Sequence, residues 1–356
     1  MKKLFAIAAL VAVALTSCVE NEVITPAGEI AFRDYTLSTK ALVLPGSTAN
    51  EALPTDCAFG AFALYSGQYE TVTNEHPVDA DYTTDDAIYV DGLRVSHDGT
   101  QWAYDEAQYW PTDKAPLDFY AYYPYNASVA SWDAVNNCVA LTAAELGTPT
   151  ALNGQTDWMV TAAAEDKTSD NAATGVGIVF DHITSMVVFK AIDVTEDTRY
   201  QELVTIKKIE VKQAAYKGNY TAAAWTADGA SRQDVTVYNS SIAVPITTAA
   251  DVTKATVDGG ALIVVPETVQ ATTEFVVTYD LKESLDHVIA EQTGKTATIQ
   301  VAPLTTTWEP GKKYVYTIKF NLVAGGVGGG DEVLQEITFT PEVAPWDEVA
   351  GGDYTI

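Results

Sequence analysis

Tyr314-Val315-Tyr316-Thr317-Ile318-Lys319-Phe320-Asn321-Leu322 decides the fold class of this chain. Tyr314, Tyr316, Ile318, Phe320 and Leu322 recur at every second position, and Thr317, Lys319 and Asn321 fall between them. A period of two puts the apolar set on one face of a pleated strand and the polar set on the other. Strands of the same kind are expected at 59–65, 87–90, 93–96, 101–104, 117–123, 177–180, 186–192, 204–211, 261–265, 274–281 and 296–301. Asp98-Gly99 lies between two of these runs and predicts a tight hairpin, and Asp91-Gly92 and Asp258-Gly259 are similar turn signals. Helical periodicity is weak; only 142–146 and 195–203 read as helices of one or two turns. Many short strands with turn signals between them mean an all-β sandwich architecture. A length of 356 residues fits two sandwiches in tandem, 41–184 and 185–323, divided just after Asp181-His182.

The ends of the chain carry different signals. Lys2 and Lys3 precede an almost unbroken apolar run from Leu4 to Leu15, which is a signal-peptide core too short to span a bilayer. Leu15-Thr16-Ser17-Cys18 matches the lipobox of bacterial lipoproteins, so residues 1–17 are expected to be removed and Cys18 to carry the lipid. That lipid is the expected attachment to the outer membrane. Near the other end, Ala324-Gly325-Gly326-Val327-Gly328-Gly329-Gly330-Asp331 is too rich in glycine for a strand interior and reads as a hinge before a final segment, 332–356. It lacks the G-x-G-x-x-G spacing and a following Lys-Ser/Thr, so it is no phosphate-binding loop.

Composition narrows the function. Lysine and arginine total 20 against 48 aspartate and glutamate, a net charge of −28 that becomes about −30 once Lys2 and Lys3 are lost. Such a surface repels nucleic acid and favours solubility. Disorder does not follow, because apolar residues make up 47%. Cys57 and Cys138, the thiols left after lipidation, are read either as one disulfide or as two unlinked cysteines.

Candidates for chemistry are few. His76, His97, His182 and His287 show no metal-ligand spacing, and no H-E-x-x-H, C-x-x-C or G-x-S-x-G occurs. His182 beside Asp181 invites a dyad, but a structural hydrogen bond at the domain boundary is the favoured reading. Asp79, Asp81, Asp85 and Asp86 lack the EF-hand pattern and read as a solvated acidic loop rather than a calcium site. The aromatic run 102–125 reads as sheet packing before a carbohydrate face. Neither a cofactor nor an enzymatic activity is expected.

One pattern occurs twice. Glu29-Ile30-Ala31-Phe32 and Glu336-Ile337-Thr338-Phe339 share Glu-Ile-small-Phe, with Ile and Phe on one strand face. Segments that present the same apolar side chains in the same register can fill the same place in a sheet. Coincidence is the competing explanation, since short Ile-x-Phe patterns are common in β proteins. The hinge before the second copy and the bases Arg33 and Lys40 behind the first, either of which could be a protease site, favour the shared-groove reading.

Further motifs are Trp110-Pro111, Leu117-Asp-Phe-Tyr-Ala-Tyr-Tyr-Pro-Tyr-Asn126, Phe180-Asp181-His182, Trp308-Glu-Pro-Gly-Lys-Lys-Tyr-Val-Tyr316 and Thr39-Lys40-Ala41. In this order and spacing they resemble the Bacteroidetes fimbrillins, the type V pilins. Glu20 and Glu22 also resemble the acidic signal that sends Bacteroidetes lipoproteins to the outer face. The resemblance implies two transthyretin-like β-sandwich domains, export as a lipoprotein, trimming by a trypsin-like protease and assembly by strand exchange. An N-terminal strand within 18–40 would then be excised at Arg33 or Lys40. Its groove would be refilled by a neighbour's 332–356 segment, with Ile337 and Phe339 as its apolar anchors. The expected partners are further copies or related pilins in a fimbria. The competing expectation is a monomeric surface-lipoprotein adhesin or glycan-binding module that keeps its lipid.

Overall fold

The computed structural model describes residues 28–32, 53, 55–66, 88–99, 101–111, 114–147, 154–246, 250–251, 261–285, 289–323 and 334–345. In chain order the first strands are β1 (Ala31–Phe32), β2 (Ala58–Tyr65), β3 (Ile88–His97), β4 (Trp102–Tyr104) and β5 (Leu117–Tyr123). Next come β6 (Ala130–Asp133), β7 (Cys138–Glu145), β8 (Met159–Thr161), β9 (Ala164–Lys167) and β10 (Phe180–His182). The second half opens with β11 (Ser185–Asp193), β12 (Val204–Ala215), β13 (Lys217–Thr221), β14 (Ala224–Ala227) and β15 (Arg232–Ala243). Short strands follow, β16 (Ala250–Asp251), β17 (Leu262–Val264) and β18 (Glu267–Thr268), then β19 (Glu274–Leu281) and β20 (Gln292–Gln300). The chain closes with β21 (Thr307–Trp308), β22 (Lys312–Val323) and β23 (Leu334–Pro345). Helix among the described residues is confined to 3₁₀ turns, so the all-β reading holds.

The alternating stretch Tyr314–Leu322 forms the centre of one sheet. β22 lies between β11 and β23, and Tyr314, Tyr316, Ile318, Phe320 and Leu322 are all buried on one face. A second sheet, β15-β12-β19-β20, covers that face. Ring contacts bind the two layers: Phe275 lies 4.8 Å from Phe189 and 4.7 Å from Tyr316, and Tyr279 lies 5.4 Å from Phe320. This is sheet-on-sheet packing, with the inward residues of both sheets sharing one core.

Most strands of the N-terminal half form one curled sheet, β1-β4-β3-β2-β5-β8-β10, with β9 on β5. Its inner face holds Phe59, Trp102, Tyr104, Leu117, Phe119 and Phe180. A third core joins the halves, with Phe62, Tyr122, Leu141 and Trp158 meeting Met186, Val188, Tyr220, Ile263 and Val315. This explains the one departure from alternation in the β22 stretch, since Val315 faces the shared core while its neighbours face the sandwich. Backbone pairing also crosses the junction, because β7 and β13 lie side by side in the sheet β14-β13-β7-β6. The Gln155 side chain adds a clasp, donating to Ala261 O and accepting from Ile263 N, both at 2.7 Å.

Several local expectations change. Asp98-Gly99 does turn β3 into β4, with Asp98 N bonded to Gln101 O at 3.0 Å. Asp91-Gly92, in contrast, makes no turn. β3 runs through it, and the register against β2 slips there, Ala61 facing Leu93 and Ala63 facing Val90. One extra residue on β3 is accommodated as a bulge, with Gly92 at φ +58°. Residues 142–145 are strand β7, not helix. Ala143 takes φ +53° there and donates its N–H to Asn219 Oδ1 at 2.7 Å, a kink that hides the period of two. Within 195–203 only the 3₁₀ turn Thr198–Tyr200 forms, capped by the Asp197 carboxylate. Asp258-Gly259 lies outside the described residues.

A Cβ at Gly92 would lie 2.7 Å from the Phe62 ring, on a backbone that already disfavours L side chains. Gly92→Ala is therefore expected to cost roughly 1–3 kcal/mol in urea denaturation of the full chain. Gly229→Ala, where a Cβ meets nothing within 4 Å, should stay within about 0.5 kcal/mol of the parent.

Candidate functional site

Residues 28–32 enter the N-terminal sheet as a short inserted strand. On one side Ala31 pairs with Ala103 and Phe32 with Trp102, and Ile30 N donates to Gln108 O at 2.7 Å. Gly28 O accepts from Trp110 N at 3.2 Å. On the other side Phe32 bridges in parallel to Val176, and Ala31 O accepts from Val176 N at 2.8 Å. Val176 lies on the chain that leads into β10, at the opposite end of the sheet from β4. The inserted strand thus joins the two edges of the curled sheet.

The sequence pattern explains why it sits inside. Ile30 and Phe32 share one face and are fully buried, Ala31 between them is buried as well, and Glu29 before them stays exposed. The Phe32 ring meets three others edge to face: Phe59 and Tyr104 at 5.5 Å and Phe119 at 5.8 Å. Trp110 backs this cluster, 5.6 Å from Phe119. Edge-to-face geometry aligns positive ring edges with negative ring faces. Burial pushes the Tyr104 hydroxyl well above the ordinary phenol range. Neither that hydroxyl nor the Trp110 indole N–H has a hydrogen-bond partner among the described residues, so the groove is lined almost wholly by apolar surface. Behind the β3–β4 hairpin, desolvation works to raise the Asp105 carboxyl. Hydrogen bonds from Ser96 and Arg94 and the Arg94 charge outweigh it and hold Asp105 below the usual carboxylate range.

The second copy of the pattern lies in β23, which pairs antiparallel with β22 along the whole strand. Ile337 stands opposite Phe320 and Phe339 opposite Ile318. Within the described residues β23 is the last strand of its sheet and pairs with β22 alone. The two copies therefore occupy different sheets of one chain. Cys18, Arg33, Lys40, the 324–331 hinge and the acidic loop at Asp79, Asp81, Asp85 and Asp86 lie outside the described residues.

His182 takes a different partner from the one beside it in sequence. Its Nδ1 lies 2.6 Å from Asp157 Oδ2, and Asp157 Oδ1 accepts from the Thr184 hydroxyl at 2.6 Å. All three are buried, whereas Asp181 is exposed. Thr184 bonds the carboxylate rather than the imidazole, so the trio is a tie between β10 and the chain before β8, not a nucleophile with its base. Cys57 and Cys138 are both free; Cys57 accepts from the Tyr123 hydroxyl at 3.4 Å and Cys138 from Ala222 N at 3.4 Å. The groove partners Ala103 and Val176 escaped the sequence reading. They lie some 70 and 145 residues from β1, and no local pattern marks a pairing over such distances.

The fold and site define an all-β protein whose N-terminal sheet is completed by its own leading strand. The sequence profile described as fimbrillin-like matches residues 47–346, and the chain belongs to that family of structural, non-enzymatic subunits of cell-surface fimbriae. No curated sequence matches the chain. Among solved structures, a fimbrial protein from Bacteroides vulgatus is similar, with a TM-score of 0.56 and 16% identity over 90% of this chain and 99% of the other. A candidate cell adhesion protein from Bacteroides uniformis gives a TM-score of 0.53 and 16% identity over 90% and 98%. At that identity both likenesses speak to the fold.

Phe32→Ala in the full chain is expected to lower stability by about 3–5 kcal/mol, because three rings lose their shared partner. Urea denaturation with tryptophan fluorescence reads it directly. A loss below about 1 kcal/mol would mean that the strand does not fill the groove in solution.

Proposed function

We propose that this fimbrial subunit is exported as a lipoprotein on Cys18 and released by cleavage at Arg33 or Lys40. It then polymerises when the 332–356 segment of one copy fills the groove vacated by residues 28–32 of the next. The observation that carries the reading is the inserted strand itself. It closes the sheet from both edges, it lies just ahead of the two candidate cleavage residues, and its Glu-Ile-x-Phe pattern recurs in a terminal edge strand.

The energetics suit an exchangeable plug. Burying Ile30 and Phe32 contributes roughly 1.5–3 kcal/mol each. Three backbone hydrogen bonds outside the β1–β4 ladder add about 0.5–1.5 kcal/mol each. Ordering five residues costs about 1–2 kcal/mol apiece and offsets much of this gain, so the hold of the strand rests largely on the β1–β4 pairing and the groove surface that it covers. An orphaned Tyr104 hydroxyl and Trp110 N–H take a further share from the resident strand. Once residues 28–32 are lost, β4 and the Val176 strand present unpaired edges around an apolar slot, which a strand from outside completes by β-augmentation. Donor and acceptor lie at different places on each copy, so the contact is heterologous and propagates into a filament. Surface display on a fimbria fits a role in adhesion.

Trypsin treatment of the purified chain should yield SDS-resistant ladders, and deletion of residues 332–356 should abolish them. Ladders that survive the deletion would remove the C-terminal segment from the scheme. A chain that stays monomeric and keeps its lipid after trypsin would favour the surface-lipoprotein alternative. Replacing Arg33 and Lys40 singly by alanine identifies which bond is cut, and loss of metabolic lipid labelling in Cys18→Ala tests the anchor.

A further inference from the structure

We propose that the parallel β11–β22 pair is a mechanical clamp, loaded in shear when copies of this chain carry tension along a filament. This rests on the strand-donation reading above, because that reading fixes where load enters and leaves each copy.

The geometry is unusual within this chain. Every other strand pair among the described residues is antiparallel, but β11 and β22 run side by side in the same direction, from Ser185 opposite Lys312 to Asp193 opposite Phe320. The Ser185 end is tied to the N-terminal half. β11 follows β10 after two residues, while Ser185 Oγ donating to Glu309 O at 2.7 Å and Gly311 N donating to Thr184 O at 2.8 Å fasten this end of β11 to the chain entering β22. The Val323 end of β22 leads into 324–331 and the donor segment.

The antiparallel register of β23 matters here. Pro345 lies opposite Lys312, so while β23 is paired with β22 its far end sits at the pole where the N-terminal half is attached. Once the segment is donated to another copy, the chain leaves from the Val323 pole instead. Tension then pulls the Ser185 end of β11 one way and the Val323 end of β22 the other. Two parallel strands pulled from opposite ends slide along each other.

Sliding is the costly direction. Bonds in a parallel ladder are evenly spaced and slanted, so a load along the strands is shared among all of them, and none is lost before the rest. The same slide must drag Tyr316 and Phe320 past Phe275, Phe189 and Tyr279, whose rings lie 4.7 to 6.0 Å from theirs. Two further bonds fasten the far end, Val194 N to Phe320 O at 2.8 Å and Leu322 N to Thr195 Oγ1 at 3.0 Å. A load across the strands would meet these contacts one at a time. The clamp is therefore directional, strong along the expected filament path and weak across it.

Single-molecule force spectroscopy on the full chain separates the two directions on one strand pair. A handle replacing exposed Asp181, with a second at Ala324, loads β11 and β22 in shear; a handle at exposed Val194, with the same second site, unzips them from one end. At equal pulling rate the shear pair should unfold at about threefold higher force or more, since forced unfolding reads the barrier rather than the equilibrium stability. Matching urea midpoints confirm that the handles leave the fold intact. Equal forces, or a stronger Val194 arrangement, would overturn the clamp. The trypsin ladder tests the filament reading separately: ladders with no force difference sink the clamp alone, while a force difference without ladders keeps the clamp and sinks the filament path assigned to it.

Discussion

Phe32 and the short strand that carries it hold the N-terminal half together. The curled sheet ends in β4 on one side and β10 on the other, and residues 28–32 are the piece that pairs with β4 and bridges to the chain entering β10. A sheet edge left open exposes unpaired amides and carbonyls. Here the closing strand also carries Ile30 and Phe32, which complete the aromatic core formed by Phe59, Tyr104, Phe119 and Trp110. Backbone pairing and core filling are thus performed by the same five residues. Such a strand is costly to leave out, because it supplies both a backbone in register with β4 and two apolar side chains on one face.

The rest of the architecture passes that constraint along the chain. The N-terminal sheet uses its inner face for the aromatic core and gives Phe62 and Tyr122 to a core shared with Met186, Val188 and Val315. β7 and β13 and the Gln155 clasp then tie the halves through backbone as well as side chains. In the C-terminal half β22 is the axis of the sandwich, buried on one face and flanked by β11 and β23. The strand at the end of the chain and the strand at its beginning therefore lie on sheets that the third core couples.

Local pattern located most of this and missed it in particular places. Glu274–Leu281 is legible to the residue because its alternation is clean and one face is buried, and Leu117–Tyr123 because its aromatic run is bounded by Pro116 and Pro124. The stretch 142–146 reads as a short helix although it holds the second half of β7, since Ala143 adopts a left-handed conformation that breaks the period of two. Asp91-Gly92 has the composition of a hairpin turn and serves as a bulge, because β2 lies alongside to carry β3 onward. A structural hydrogen bond is the favoured sequence reading of His182, but adjacency offers Asp181 as its neighbour, whereas folding brings Asp157 to it. Each miss has the same origin: a dipeptide or a spacing reports local preference, and a neighbouring strand decides how the preference is used.

By itself the sequence determined the all-β class, the buried face of β22, the acidic surface and the recurrence of Glu-Ile-x-Phe at both ends. These are properties of composition and of a two-residue period, which any strand must respect wherever it lies. Only the tertiary structure decided that Ile30 and Phe32 lie between β4 and Val176, that β23 rests on β22, and that β11 runs parallel to β22. Those facts concern pairing across tens to hundreds of residues. Alternation says which face a strand buries, but it carries no information about which strand lies beside it or in which direction that strand runs.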